Sequence, residues 1–129
     1  MNKIASSDGT TIAFDRLGEG PPVVLVCGGS TDRSANASLA ALLAEHFTVF
    51  NYDRRGRGDS GDTAPYAVER EVEDIDTVID AAGGSAFLYG ISSGAGLALE
   101  ATASGLAITK LALYEPPFIL DESSRPPAD

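Results

Sequence analysis

The chain has 129 residues, enough for one domain with a moderate core, and 43% of them are hydrophobic. Its 9 basic and 19 acidic residues leave a net charge of −10, which repels phosphate backbones and anionic lipid and argues against nucleic acid or a membrane as partner. One cysteine, Cys27, cannot form an intrachain disulfide, and Met1–Asp8 lacks the apolar run of a signal peptide, so a reducing cytoplasm is the expected setting.

Strand and helix signals alternate along the chain. Residues 2–6 and 10–16 flank Asp8-Gly9, a hairpin turn joining two strands. Gly18-Glu19-Gly20-Pro21-Pro22 interrupts the chain before Val23–Val26, a buried strand that ends at Cys27, where a buried apolar role outweighs a reactive thiol. Residues 34–46 carry a helical stripe through Leu39, Leu42 and Leu43, and Phe47–Tyr52 returns as strand. Between 66 and 82 the positions Val68, Val72, Ile75, Val78 and Ile79 keep helical spacing. The opposite face of that helix holds Glu69, Glu71, Glu73, Asp74, Asp76 and Asp80, which reads as a solvated surface rather than a metal site. Gly83-Gly84 ends the helix. Ala86–Tyr89 is a further apolar strand, Ala95, Leu97, Ala98, Leu99, Ala101 and Ala103 suit a mostly buried helix, and Ile108–Tyr114 is a last strand closing at Glu115-Pro116-Pro117. This order predicts a mostly parallel sheet with helices on both faces. Residues 1–120 form the core portion, and 121–129 a polar, proline-rich tail or the start of a lid region.

Gly90-Ile91-Ser92-Ser93-Gly94 is the most informative segment. A serine hydroxyl is a weak nucleophile, so chemistry requires it to be held exposed beside a base and facing donors for developing negative charge. A sharp strand-to-helix turn can hold it so, provided the residues two before and two after are small enough to avoid collision, and both are glycine here. Taken alone, the pentad is equally an ordinary glycine-rich turn. A second pattern, Gly56-Arg57-Gly58-Asp59-Ser60-Gly61, formally matches a dinucleotide-binding fingerprint. That fingerprint needs its third glycine at the opening of a helix, whereas Asp62-Thr63-Ala64-Pro65 follows, so a dinucleotide-binding half-domain is the minor alternative.

Four stretches, Val23–Ser30, Asn51–Ser60, Gly90–Gly94 and Leu111–Pro117, occur in the order and spacing of α/β-hydrolases. The chain resembles the N-terminal half of that superfamily, most of all its esterase and haloperoxidase-like branch. The resemblance implies Ser92 as nucleophile and the amides of Gly29 and Ser93 as oxyanion donors, with Gly28 and Ser30 bordering the substrate pocket. Cys27 stands where the family often has a histidine, which leaves a main-chain donor intact. Asp53, Arg54 and Asp59 match positions that brace loops. The resemblance implies no metal or organic cofactor, and a small ester-like substrate. Serine rather than aspartate at the nucleophile position argues against epoxide hydrolase or dehalogenase chemistry.

A base is missing from this picture. The one histidine, His46, falls at the end of a predicted helix, where a solvated or capping role fits. The family order is serine, acid, histidine. Acid and histidine are therefore expected from the C-terminal half, as a continuing or second chain, with Glu115 a minor candidate acid. The segment alone is expected to be inactive. The alternative from another class is a catalytically silent fragment that binds partners through the open edge left by the strand at 108–114.

Overall fold

The computed structural model describes residues 1–116; the stretch 121–129, expected as a tail or lid start, lies outside the described residues. Six strands form one sheet: β1 (Asn2–Ala5), β2 (Thr11–Leu17), β3 (Pro22–Val26), β4 (Thr48–Tyr52), β5 (Ala86–Ile91) and β6 (Ile108–Tyr114). Their spatial order is β1-β2-β4-β3-β5-β6. The first two strands form an antiparallel hairpin whose β2 also runs antiparallel to β4, while β4, β3, β5 and β6 are mutually parallel. The mostly parallel sheet read from the alternation is the one observed.

Three α-helices pack on this sheet: α1 (Ala37–Leu43), α2 (Val68–Ala81) and α3 (Ser93–Ala103). Strand residues alternate between its two faces. Val24 and Val26 join Phe50, Tyr52 and Leu88 under α2 and α3, in a cluster with Ile75, Val78 and Leu97. Val23 and Leu25 join Val49 on the other face beneath Ala40 and Leu43 of α1. Val24, Leu25 and Val26 are wholly buried, which is why β3 reads as an uninterrupted apolar run. Each such side chain contributes about 2 kcal/mol by leaving water.

Two expectations need correction. The stripe at 34–46 is not one helix: a 3-10 turn over Arg33–Asn36 precedes α1, which stops at Leu43. Asp32 caps that turn by accepting from the Ser34 amide at 2.9 Å, and the Arg33 amide donates to Asp53 at 2.7 Å, so the chain is pinned before α1 begins. The acidic face of α2 is also not uniformly solvated. Glu69, Asp76 and Asp80 are exposed, but Glu71 and Asp74 are buried. The reason is tertiary: the first two turns of α2 lie over the loop after β4, and the arginines of that loop reach these two carboxylates.

Among the described residues no helix is long and apolar enough to cross a membrane.

Candidate active site

The C-terminal ends of β3, β4, β5 and β6 lie at one edge of the sheet, and the residues singled out at 28–30, 53–59, 90–94 and 115 follow those ends. Ser92 is the single residue between β5 and α3. Its backbone has φ 55° and ψ −122°, a conformation that costs a non-glycine residue about 1–3 kcal/mol. It is exposed, its side chain makes no capping bond to α3, and among the described residues its hydroxyl has no hydrogen-bond partner. The glycines on either side are required by contact. A Cβ on Gly90 would come within 2.8 Å of the Ala95 Cα, and one on Gly94 within 2.6 Å of the Val26 carbonyl. Helix α3 thus sits directly on the ends of β3 and β5. Its first amides, those of Ser93 and Gly94, precede the Ala95 amide that turns back to the Ser92 carbonyl at 2.9 Å.

Gly28 lies against this turn. A Cβ built on it would be 3.4 Å from the Ile91 carbonyl and 3.5 Å from the Ser92 Cβ, so the loop after β3 passes beside the Ser92 side chain with room for about a methyl group between them. Ser30 has φ 57° and is exposed. Cys27 is wholly buried, as expected of a small apolar side chain.

Arginines tie this loop to its neighbours. Arg54 grips Glu71 with two bonds of 2.8 and 2.9 Å, and its remaining nitrogen donates to the Cys27 carbonyl at 3.2 Å and to the Ser93 hydroxyl at 3.1 Å. One buried guanidinium therefore links β3, α2 and the start of α3. Burial disfavours its charge, but the bond and attraction to Glu71 outweigh that, so its pKa is raised. Burial likewise pushes the Glu71 carboxyl up, and the Arg54 bond and charge more than reverse this, leaving it lowered. Tyr66 donates to Glu71 at 2.6 Å, and burial with that bond pushes the phenol up to about 12. Arg57 donates to the Gly28 carbonyl at 2.6 Å.

The carboxylate Asp53 is the hub of the loop after β4. It is wholly buried, accepts from the amides of Arg33 and Asp59, and pairs with the Arg33 guanidinium, which also reaches Asp15 and Asp59. Gly58 is needed because a Cβ there would strike this carboxylate. Asp53, Arg54 and Asp59 thus brace loops, as expected. Sequence reasoning missed Arg33, Arg57 and Glu71 as parts of the brace. Its available signal was three arginines between 54 and 57 in a strongly acidic chain, followed by an acid-rich helix. The turn 56–61 closes on itself through Gly56 N–H to the Gly61 carbonyl at 2.8 Å and leads into no helix before Val68, which removes the context a dinucleotide site needs.

His46 is not brought to Ser92. It is exposed and precedes β4, at the edge of the sheet opposite the one Ser92 occupies, and the length of that strand, about 17 Å, separates the two edges. Glu115, in contrast, is at the same edge as Ser92: it follows Tyr114, whose carbonyl accepts from the Ser92 amide at 3.0 Å, and it has φ 49°. Among the described residues no three His, Cys, Asp or Glu side chains cluster so as to hold a metal ion.

Comparisons with known proteins agree with this layout. A structure of an alpha/beta hydrolase from Sphaerobacter thermophilus DSM 20745 matches at 65% identity and a TM-score of 0.92, over 95% of this chain and 48% of that one. An esterase from Exiguobacterium antarcticum matches at 26% identity and a TM-score of 0.83, over 97% and 49%. The uncharacterized hydrolase YraK of Bacillus subtilis (strain 168) is 33% identical over 96 residues, which span 71% of this chain and 35% of that protein. The chain thus spans about half the length of these solved structures and about a third of the curated relative. The model of the Alpha/beta hydrolase family matches residues 23–129, from the first parallel strand onward, and the chain belongs to that family.

Proposed function

We propose that this chain carries the nucleophile portion of a serine hydrolase that cleaves ester-like bonds through an acyl-enzyme. The observation that carries the reading is an exposed, strained Ser92 at the strand-to-helix turn, whose hydroxyl makes no capping bond and beside which Gly28 passes. In this reading Ser92 Oγ attacks the substrate carbonyl while an imidazole from outside these residues takes its proton. The amides of Gly29 and Ser93 receive the tetrahedral oxyanion, aided by the N-terminal end of α3. The leaving alcohol departs with the proton, and water then releases the acid and frees Ser92. Gly28 and Ser30 border the acyl pocket. The triad acid and histidine come from a continuing or second chain, Glu115 being the alternative acid. Residues 1–120 serve as the core portion and 121–129 as the tail or lid start. A wholly buried lone cysteine fits a reducing cytoplasm.

The test is intact-mass spectrometry of the full natural chain before and after a fluorophosphonate, with peptide mapping. An adduct on Ser92 that disappears in Ser92→Ala is the expected result. An unlabelled protein would instead favour a silent binding module.

A further inference from the structure

Resting on the serine-hydrolase reading, we propose that Arg57 and Thr31 are positioning residues that aim the Gly29 amide at the oxyanion. The peptide unit joining Gly28 to Gly29 is planar, so its N–H and C=O point in opposite directions and fixing one fixes the other. With glycine on both sides and Ser30 at φ 57°, little in the chain itself stops this unit from rotating end over end. A rotated unit would turn a carbonyl oxygen, not an amide, toward the negative charge. Two donors hold it from behind. The Arg57 guanidinium reaches the Gly28 carbonyl at 2.6 Å and the Thr31 hydroxyl reaches the same oxygen at 3.0 Å.

The charge on Arg57 adds to its geometry. Arg54 and Arg55 direct theirs at the buried carboxylates of Glu71 and Asp74, whereas Arg57 points one guanidinium nitrogen at a backbone oxygen. A charge-assisted bond to a carbonyl draws electron density through the peptide and strengthens the donor at its other end. The second donor is held in a different way: the Ser92 carbonyl, on the peptide that ends in the Ser93 amide, accepts from Ala95 and Gly96 inside α3. One oxyanion donor is thus fixed by a helix and the other by two side chains, so the loop donor is the one that mutation can loosen without disturbing an element.

The test uses the full natural chain with a 4-nitrophenyl ester and a trifluoromethyl ketone, whose adduct with serine is a tetrahedral oxyanion. Arg57→Ala is expected to lower kcat/KM about 10- to 100-fold, less than the loss of a whole oxyanion donor. KM should change little, and ketone binding should weaken by a similar factor. Arg57→Lys should recover part of both, and Thr31→Val should lower both about threefold, with an effect that depends on whether Arg57 is present. The wild type must first take a fluorophosphonate on Ser92; failure there removes the serine reading and this proposal with it. With that adduct in hand, an Arg57→Ala protein whose kcat/KM and ketone affinity stay within twofold of wild type overturns the positioning role alone. Should Arg57→Ala fail to fold, the Lys and Val variants decide by the same two readouts, and no change in either overturns it.

Discussion

Ser92 holds a backbone conformation that glycine adopts freely and serine does not. The strain is tolerated because Gly90 and Gly94 let α3 press against the strand ends, which over-determines the turn. A site shaped for chemistry is commonly less stable than the chain could make it. Ser92→Gly is accordingly expected to be more stable than Ser92→Ala by about 1 kcal/mol, the relief of strain exceeding the extra freedom glycine gains when unfolded. Urea denaturation of the two variants checks this. Equal stabilities would mean that the turn stores no strain at this residue.

At the scale of elements, α2 is fastened to the loop after β4 by two arginine–carboxylate forks, Arg54 to Glu71 and Arg55 to Asp74, the second extended to Asp8. Glu71 has a lowered pKa in the folded protein, so the unfolded chain binds a proton more readily. Its contribution to stability is therefore complete above the ordinary carboxyl value of 4.5 and is lost as pH falls through the lower folded value. Glu71→Gln is expected to cost about 3 kcal/mol at neutral pH, because it leaves a buried guanidinium half-paired, and to flatten the fall in stability on acidification below about pH 4.5. Denaturant midpoints between pH 7 and 3 test both parts. These forks also mark what was legible in the sequence. The ends of β6, the apolar stripe of α2 and the elbow glycines follow from local period and turn chemistry. The burial of Glu71, the break of the 34–46 stripe after Asn36 and the grip of Arg54 on Ser93 depend on which loop lies over which helix, and local periodicity carries no such information.

At the scale of the molecule, the described residues cover the two faces of the sheet unequally. Among the described residues, helices α2 and α3 close one face, while α1 alone covers the other and leaves an open apolar groove of about 420 Å³ bordered by Leu43, Phe47, Phe87, Tyr89 and Ala112. The one histidine lies at the wrong end of the sheet to serve Ser92. Residues 1–129 prepared by themselves are therefore expected to bind the dye ANS and to hydrolyse a 4-nitrophenyl ester no faster than their Ser92→Ala variant, as fluorescence and steady-state assays will show. Steady turnover that Ser92→Ala abolishes would mean that this stretch holds a working base of its own. The sheet also sets how long the elbow keeps its shape. The amide of Ser92 is bonded not to its own helix but to Tyr114 of β6, a border strand of the sheet among the described residues. Outer strands open more often than inner ones, so solvent exchange of this single proton keeps time with the fraying of β6. The lifetime of the attacking geometry is thereby tied to the pairing of β6 with β5, and whatever lies against β6 lengthens it without ever meeting a substrate.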